Sequence, residues 1–514
     1  MDALTHKPDG ASAEGNAGPK RSLILAGGGI RVAYQAGVLR ALIESGLSFF
    51  HVDGTSGGII NLAMLFSGLS PVEMCNRWRT LKVKDFVSFL PLEKYLKVYD
   101  LPAMGDADGI RDAVFPHLGI DIQKINAARG MAGTFNVCNY TRKTNEAVPH
   151  TEIDLDLLIA GISLPIFMPP VRKGETWYTD SVWIQDANLM EAVRRGAEEL
   201  WIVWCIGNTG EYKNGFLNQY VHMIEMSANG ALFGEFERID ELNGRIVRGD
   251  SPYGQTGPIR LHLIKPEYPL PLDPDLFLGK IDTATLIDRG YADAKRYLEQ
   301  IKPEGLPFSP EVTKMKEETT IGLTFRETMA GGFALGVSDP WEAEKKGEAD
   351  GTPLAMHATI LIRDIYQFIK DPGHAGEITG HIDFPPFGEK VPAKSGVFNL
   401  FSPADDPKMR WMIYELGFEH AGKDYYLAGK KEVRDDFGFD LWKDTTTLLT
   451  RLHEGKDQSG PVIGAGVLTL SLTELKNLLT TVRATGTDSM TEGAKAIGAF
   501  GRFFLGELWD RYMK

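Results

Sequence analysis

Two glycine-rich turns, each entered by a short apolar run and left by an apolar helix, constrain this chain more than any other feature. Ser22-Leu23-Ile24-Leu25-Ala26 runs into Gly27-Gly28-Gly29. Residues 31–45 then place Val32, Ala36, Leu39 and Leu42-Ile43 at helical spacing, until Gly46 stops the pattern. Phe49-Phe50-His51-Val52 likewise runs into Asp53-Gly54-Thr55-Ser56-Gly57-Gly58, and residues 59–66 read as a second apolar helix closed by Gly68 and Pro71. Strand, helix, strand, helix in quick succession predicts an α/β domain with a parallel sheet between helical layers. Apolar runs at 134–139, 200–205 and 259–264 supply further strands, and a helix over 283–300 closes the domain.

The second turn carries chemistry. Gly54-Thr55-Ser56-Gly57-Gly58 fits G-x-S-x-G, the sharp strand-to-helix turn that exposes a nucleophilic serine. Glycines two before and two after Ser56 remove the Cβ atoms that would clash there. The helix that follows aims its N-terminal amides at developing negative charge. Gly27-Gly28-Gly29 sits at the equivalent place one unit earlier, where backbone amides can cradle an oxyanion. A dinucleotide fingerprint would need glycine at position 32, where Val32 stands, and no G-K-[ST] follows for a phosphate loop. The remaining alternative is glycine used only for close strand–helix packing.

At 514 residues the chain exceeds one ordinary core, so two or three domains are expected. A formal net charge of −14 argues against nucleic acid as a partner and disfavours long-range attraction to anionic membranes. No apolar run reaches the length of a membrane-spanning helix. Cys75, Cys138 and Cys205 are scattered without metal or redox spacing, which suits a reducing compartment and small buried side chains. Residues 1–20 lack the apolar centre of a secretory signal, so an unstructured tail on a cytoplasmic protein is expected, with neither metal nor cofactor.

Four blocks follow one another in order: Leu25-Ala26-Gly27-Gly28-Gly29-Ile30-Arg31 with Ala36-Gly37-Val38-Leu39-Arg40-Ala41-Leu42, then Gly54-Thr55-Ser56-Gly57-Gly58, then Ala160-Gly161-Ile162-Ser163-Leu164-Pro165-Ile166-Phe167-Met168-Pro169-Pro170, and finally Tyr178-Thr179-Asp180-Ser181-Val182-Trp183. Together they resemble the patatin-like phospholipases over residues 21–300. The resemblance implies a lipid acyl hydrolase of phospholipase A or lysophospholipase type, with a Ser-Asp dyad instead of a triad. Ser56 would attack the acyl carbonyl, and Asp180 would take its proton and later return one. Gly27, Gly28 and Gly29 match the oxyanion glycines, and Arg31 matches the basic residue beside them, placed to meet a head group or to brace the loop. The substrate would be a lipid ester, phospholipid or sterol ester, reached through peripheral contact with a membrane. Two departures stand out. Val32 replaces a family glycine, and Ser181 and Val182 replace the glycines after the catalytic aspartate. If those glycines serve an unusual backbone conformation, Asp180 would be misaimed, and the alternative becomes a catalytically weak or inactive lipid-binding protein of the same fold. Asp186 is the fallback carboxylate. His262 is the one histidine placed to complete a triad in the chain order Ser, Asp, His, but it alternates with Leu261 and Leu263 as a sheet residue does, and His51 reads the same way.

Residues 81–105 are apolar and aromatic (Phe86, Phe89-Leu90, Leu92, Tyr95-Leu96, Val98-Tyr99, Leu101) and read either as core or as a cap receiving acyl chains. The helix around 220–236, with Met223, Met226 and Leu232-Phe233, fits core or pocket lining. The hydrolase domain is expected over 21–301, a Pro-, Lys- and Glu-rich linker over 302–320, and a β-rich sandwich or barrel over 321–514. Strand-like runs at 323–326, 357–362, 378–384, 396–401, 409–416 and 467–470 carry that expectation, with closing helices at 471–483 and 492–509 and Phe500, Phe503 and Phe504 on one face. Blocks at 324–331 and 440–447 resemble an accessory domain found with cholesterol-oxidase-like flavin oxidoreductases and lipases of bacteria. No flavin fingerprint accompanies them, so no oxidase activity is implied.

Overall fold

The computed structural model describes residues 18–86, 88–89, 103–273, 281–406, 409–434, 445–487 and 489–512. They fall into two compact units, Met1–Glu317 and Glu318–Lys514. Residues 1–17 of the expected tail, 87 and 90–102 of the expected cap and 440–444 of the last sequence block lie outside the described residues.

In the first unit the apolar runs become strands because each is buried on both faces of one sheet. Strand β1 (Arg21–Leu25) leads through the glycine turn to helix α1 (Ala33–Glu44), and β2 (His51–Thr55) leads through the serine turn to α2 (Gly58–Phe66). Helix α3 (Pro71–Thr80) follows, capped by Ser70 on the Glu73 amide. Next come β3 (Ala132–Asn139), β4 (Thr144–Pro149), α4 (Leu155–Ala160), β5 (Val171–Lys173), β6 (Thr176–Asp180), α5 (Leu189–Arg194), β7 (Glu199–Val203), α6 (Phe216–Val247), β8 (Arg260–Ile264) and α7 (Thr283–Glu299). The sheet order is β8-β7-β1-β2-β3-β6-β5, with β4 paired to β3. Strands β8, β7, β1, β2 and β3 run parallel, and β4, β5 and β6 add antiparallel pairings at one side. The two glycine turns therefore leave adjacent parallel strands at the same end, where α/β sheets place their sites.

Helix α1 is apolar nearly all round because it is covered on both sides. It meets the sheet, and it meets α7 so closely that a Cβ on Gly37 would lie 2.0 Å from the Ile287 carbonyl oxygen, and one on Gly290 would lie 2.1 Å from that of Tyr34. Leu39, Leu42, Leu286 and Tyr291 complete this seam. On the other face, Leu232, Phe236, Ile239 and Leu242 of α6 pack with Ile202 and Leu261. Met223 and Met226, on the first half of α6, stay exposed instead of joining the core. Within the stretch expected to link the domains, Leu306 bridges to Leu261 and Phe308, Val312 and Met315 pack on that same apolar cluster.

The second unit is an eight-stranded antiparallel barrel. Its strands are β9 (Gly322–Leu335), β10 (Pro353–Ile362), β11 (Ala375–Phe384), β12 (Gly388–Pro403), β13 (Met409–His420), β14 (Lys423–Arg434), β15 (Thr447–Glu454) and β16 (Val462–Thr469). Each pairs with the next, and β9 pairs with both β10 and β16, which closes the ring; the short β17 (Arg483–Thr485) pairs onto β9. The expected strands are present and longer than their apolar runs. Strands β14 and β15 were not anticipated, because charged residues break their alternation. Inward positions alternate with outward ones, as in buried Leu323, Phe325, Glu327 and Met329 against Thr324, Arg326 and Thr328. Glu327 does not break the rule. Lys431 Nζ lies 3.0 Å from its Oε1, and the Tyr414 hydroxyl donates to Oε2 at 2.9 Å. The closing helix α11 (Met490–Tyr512) follows α8 (Pro340–Asp350), α9 (Ile365–Lys370) and α10 (Leu472–Thr481), and its Phe500, Phe503 and Phe504 pack against Phe325, Phe368 and Phe401.

Candidate functional site

The geometry of the serine turn begins with its backbone. Ser56 sits at φ 51°, a left-handed conformation that costs a non-glycine residue of order 1–3 kcal/mol and persists only when its surroundings enforce it. The enforcement is close packing between the two turns. A Cβ on Gly58 would fall 2.1 Å from the Leu25 carbonyl oxygen, and one on Gly57 would fall 2.4 Å from that of Gly29. Only glycines let the start of α2 lie against the end of β1. The resulting bend turns the Ser56 hydroxyl toward Asp180 at the end of β6.

Ser56 Oγ donates to Asp180 Oδ2 at 2.6 Å, and both residues are buried. The other oxygen, Asp180 Oδ1, accepts the Val182 amide at 2.9 Å, while the Asp180 amide donates to the Ser163 carbonyl at 3.1 Å. Burial pushes the Asp180 carboxyl up to about 7, against the stabilising bonds from Ser56 and Val182. Neither Ser181 nor Val182 has a positive φ, so valine meets no backbone strain here. The Ser181 hydroxyl has its own partner, Asn145 Oδ1 at 2.6 Å. Asn145 and Asn188 both donate to Asn136 Oδ1, and Asn136 Nδ2 donates to Asp53 Oδ1 at 2.5 Å. A buried amide network thus ties the aspartate's turn to the strand that carries the serine.

The three glycines are not equivalent. The Gly27 amide donates to both carboxylate oxygens of Asp186, at 3.0 and 3.1 Å, which takes it out of the expected trio of open donors. Among the described residues the Gly28 and Gly29 amides donate to no partner, and neither does that of Gly57, directly after Ser56. Gly28 and Gly29 hold φ values of 154° and 60°, and the Asp273 carboxylate fixes the next amide, Ile30, at 3.0 Å. Arg31 Nε donates to the Gly28 carbonyl at 2.9 Å, so its guanidinium braces the loop. Val32, in place of glycine, is buried, and its carbonyl accepts Asn61 Nδ2 at 2.8 Å.

Both candidate histidines are structural. His262 stacks on Trp201 with ring centroids 4.2 Å apart and meets the Tyr297 hydroxyl at 3.0 Å; burial lowers it to about 4. His51 lies between Ser22 and Thr134 and is lowered by burial to about 3. Asp186 as an anchor of Gly27, and the Asn136 network, are what sequence reasoning missed. Asp186 stood out only as a spare carboxylate, and the asparagines carry no spacing signal.

Next to Asp180, residues 163–168 and α6 form an apolar rim. The Tyr220 hydroxyl donates to the Pro165 carbonyl at 2.5 Å, and the Tyr220 ring meets Phe167 and Trp183 at 5.2 and 5.6 Å. Ile166 has φ 77°, an outlier for a β-branched residue, and its side chain is exposed. Met104, whose amide donates to the Ile166 carbonyl, is exposed too, as are Phe216 (76%), Met223 and Met226 (67%). Among the described residues no group of three or more His, Cys, Asp or Glu could hold a metal ion, and no helix is long and apolar enough to cross a membrane.

Residues 23–193 match the family model of the patatin-like phospholipases, a span that contains both glycine turns, Ser56, Asp180 and Asp186. That match marks the α/β unit as a lipid-acting hydrolase or esterase in general terms; the barrel lies outside it. No curated protein matches the chain.

Proposed function

We propose that the α/β unit hydrolyses lipid acyl esters of the phospholipid or lysophospholipid kind through a Ser56–Asp180 dyad. The observation that carries the reading is the 2.6 Å bond from Ser56 Oγ to the buried Asp180 carboxylate, with no histidine between them. Asp180 takes the hydroxyl proton as Ser56 Oγ bonds to the acyl carbon. The open amides of Gly28, Gly29 and Gly57 support stabilisation of the resulting oxyanion, each such donor being worth roughly 3–4 kcal/mol. Collapse returns the proton to the leaving alcohol and leaves an acyl-serine, which water hydrolyses by the same route, with Asp180 again the base.

A lipid surface as the source of substrate is part of this reading. From 214 to 233 the chain carries no charged residue except Glu225, which faces His222 at 3.4 Å, so the exposed Phe216, Met223 and Met226 sit on an uncharged helix face. That suits zwitterionic or neutral lipid better than anionic lipid, given the net charge of −14. The three buried, unbridged cysteines are in keeping with a cytoplasmic protein.

The test is turnover of short and long p-nitrophenyl esters, together with fluorophosphonate labelling, by wild type, Ser56→Ala and Asp180→Asn. Labelling and turnover lost in both variants, with longer chains preferred, is the expected result. A folded wild type that neither labels nor turns over would favour the inactive lipid-binding alternative.

A further inference from the structure

Asp186 lies in the turn between β6 and α5, is 1% exposed, and spends both carboxylate oxygens on a single amide, that of Gly27. A Cβ on Gly27 would fall 2.2 Å from Asp186 Oδ1 and 2.9 Å from Ser56 Cβ, so this glycine is the spacer between the carboxyl and the nucleophile. Two buried carboxyls, Asp180 and Asp186, therefore flank Ser56. The charged and titratable groups acting on Asp186 are Asp180 and Arg31, and it in turn acts on Cys205. Among the described residues it forms no ion pair; Arg31, whose positive charge acts on it, is turned to the Gly28 carbonyl.

We propose that Asp186 is a positioning residue of the hydrolase, anchoring Gly27 so that the next two amides point at the acyl oxygen, and working in its uncharged form. The inference rests on the dyad reading. Its physical reason is electrostatic. Asp180 must be ionised to accept the serine proton, and negative charge then passes to the acyl oxygen beside Gly28 and Gly29. A second anion held against Gly27, in a buried site of low dielectric, opposes that charge. The neutral acid keeps an oxygen for the Gly27 amide without opposing it. Burial first, and the neighbouring Asp180 second, push Asp186 up to about 8, so both act to favour its uncharged form.

Asp186→Asn keeps an acceptor oxygen for Gly27 and cannot ionise; Asp186→Ala removes the anchor. Both are measured with wild type and Ser56→Ala for kcat and KM on a soluble short-chain p-nitrophenyl ester, from about pH 5 to about pH 10. Wild type should rise and then fall with pH. Asp186→Asn should keep the rise, lose the alkaline fall and stay within about threefold of wild type near neutrality. Asp186→Ala should lose on the order of 10²-fold in kcat with KM little changed. An alkaline fall that persists in Asp186→Asn, or an Asp186→Ala enzyme with wild-type kcat, overturns the proposal even if turnover depends on Ser56. Turnover that survives in Ser56→Ala, or is absent from wild type, removes the dyad reading and this inference with it. Should Asp186→Ala not fold, the Asp186→Asn profile decides alone.

Discussion

Replacing Gly58 by alanine tests whether the two turns must touch for the chemistry to work. The new Cβ would sit 2.1 Å from the Leu25 carbonyl oxygen and 2.7 Å from that of Ala26. A relaxed carbon–oxygen contact needs about 3.3 Å, so more than about 1 Å has to be found. The end of β1 cannot yield it, because Leu25 is in register with Gly54 on one side and Val203 on the other. The start of α2 must lift instead, carrying Ser56 away from Asp180 and from the glycine loop. A displacement of about 1 Å at a reacting group can cost on the order of 10²-fold, or about 2.7 kcal/mol of barrier, and overpacking adds about 1–3 kcal/mol of instability. The control is Gly234→Ala, inside α6, where a Cβ meets nothing within 4 Å; it should gain up to about 1 kcal/mol and leave turnover alone. Initial rates on a soluble p-nitrophenyl ester and thermal melts of both variants decide the matter. Gly58→Ala turning over within about threefold of wild type would refute the argument that this contact sets the serine's position.

Three further outcomes follow from buried charge. Asp53 is raised by burial from 3.8 to about 7, so in the folded state it holds its proton longer than in the unfolded chain, and the stability it lends at low pH is lost as pH rises through that value; relative to wild type, the Tm of Asp53→Asn should therefore climb from about pH 5 to about pH 8, and a difference that stays flat would contradict the shift. Arg79 and Asp288 pair with both side chains at most 5% exposed; Asp288→Ala removes the carboxylate from this buried pair and should cost about 3–5 kcal/mol in urea denaturation, with a loss below about 1 kcal/mol counting against it. Inside the barrel, Lys431→Met alone should cost about as much, while adding Glu327→Gln should recover most of the loss, since the neutral amide no longer needs a cation; a double variant no more stable than the single would show that the pair is not a closed unit.

How much of this was legible beforehand varies with the range of the interactions involved. The strand–glycine–helix units, Ser56 and the glycine loop are written in consecutive residues, where periodicity and turn chemistry act locally. Asp180, 124 residues from Ser56, was reached through resemblance, since no spacing rule links residues that far apart. The division of labour within Gly27-Gly28-Gly29 was hidden because it depends on a carboxylate 159 residues away. The Asn145–Asn136–Asp53 network and the Glu327–Lys431–Tyr414 cluster were hidden for the same reason, and polar side chains at inward positions look like breaks in a pattern. The family model covers residues 23–193, so the function of the barrel rests on neither a local motif nor that match.

Closure of the barrel has a consequence for how this chain tolerates cutting. The seam is made where β9 meets β16, through pairs such as Ala330 with Thr469 and Leu335 with Gly464. Those partners are separated by most of the unit's length, so the ring is sealed late in folding and slowly compared with its hairpins. A chain ending before β16 would not be a smaller barrel. It would be an open sheet with the far half of β9 bare on one side and β15 bare on the other, two long rows of unpaired amides and carbonyls offered to any other chain. Trimming from the C-terminus as far as β16 should thus leave an aggregating chain, because the seam has then lost its last strand.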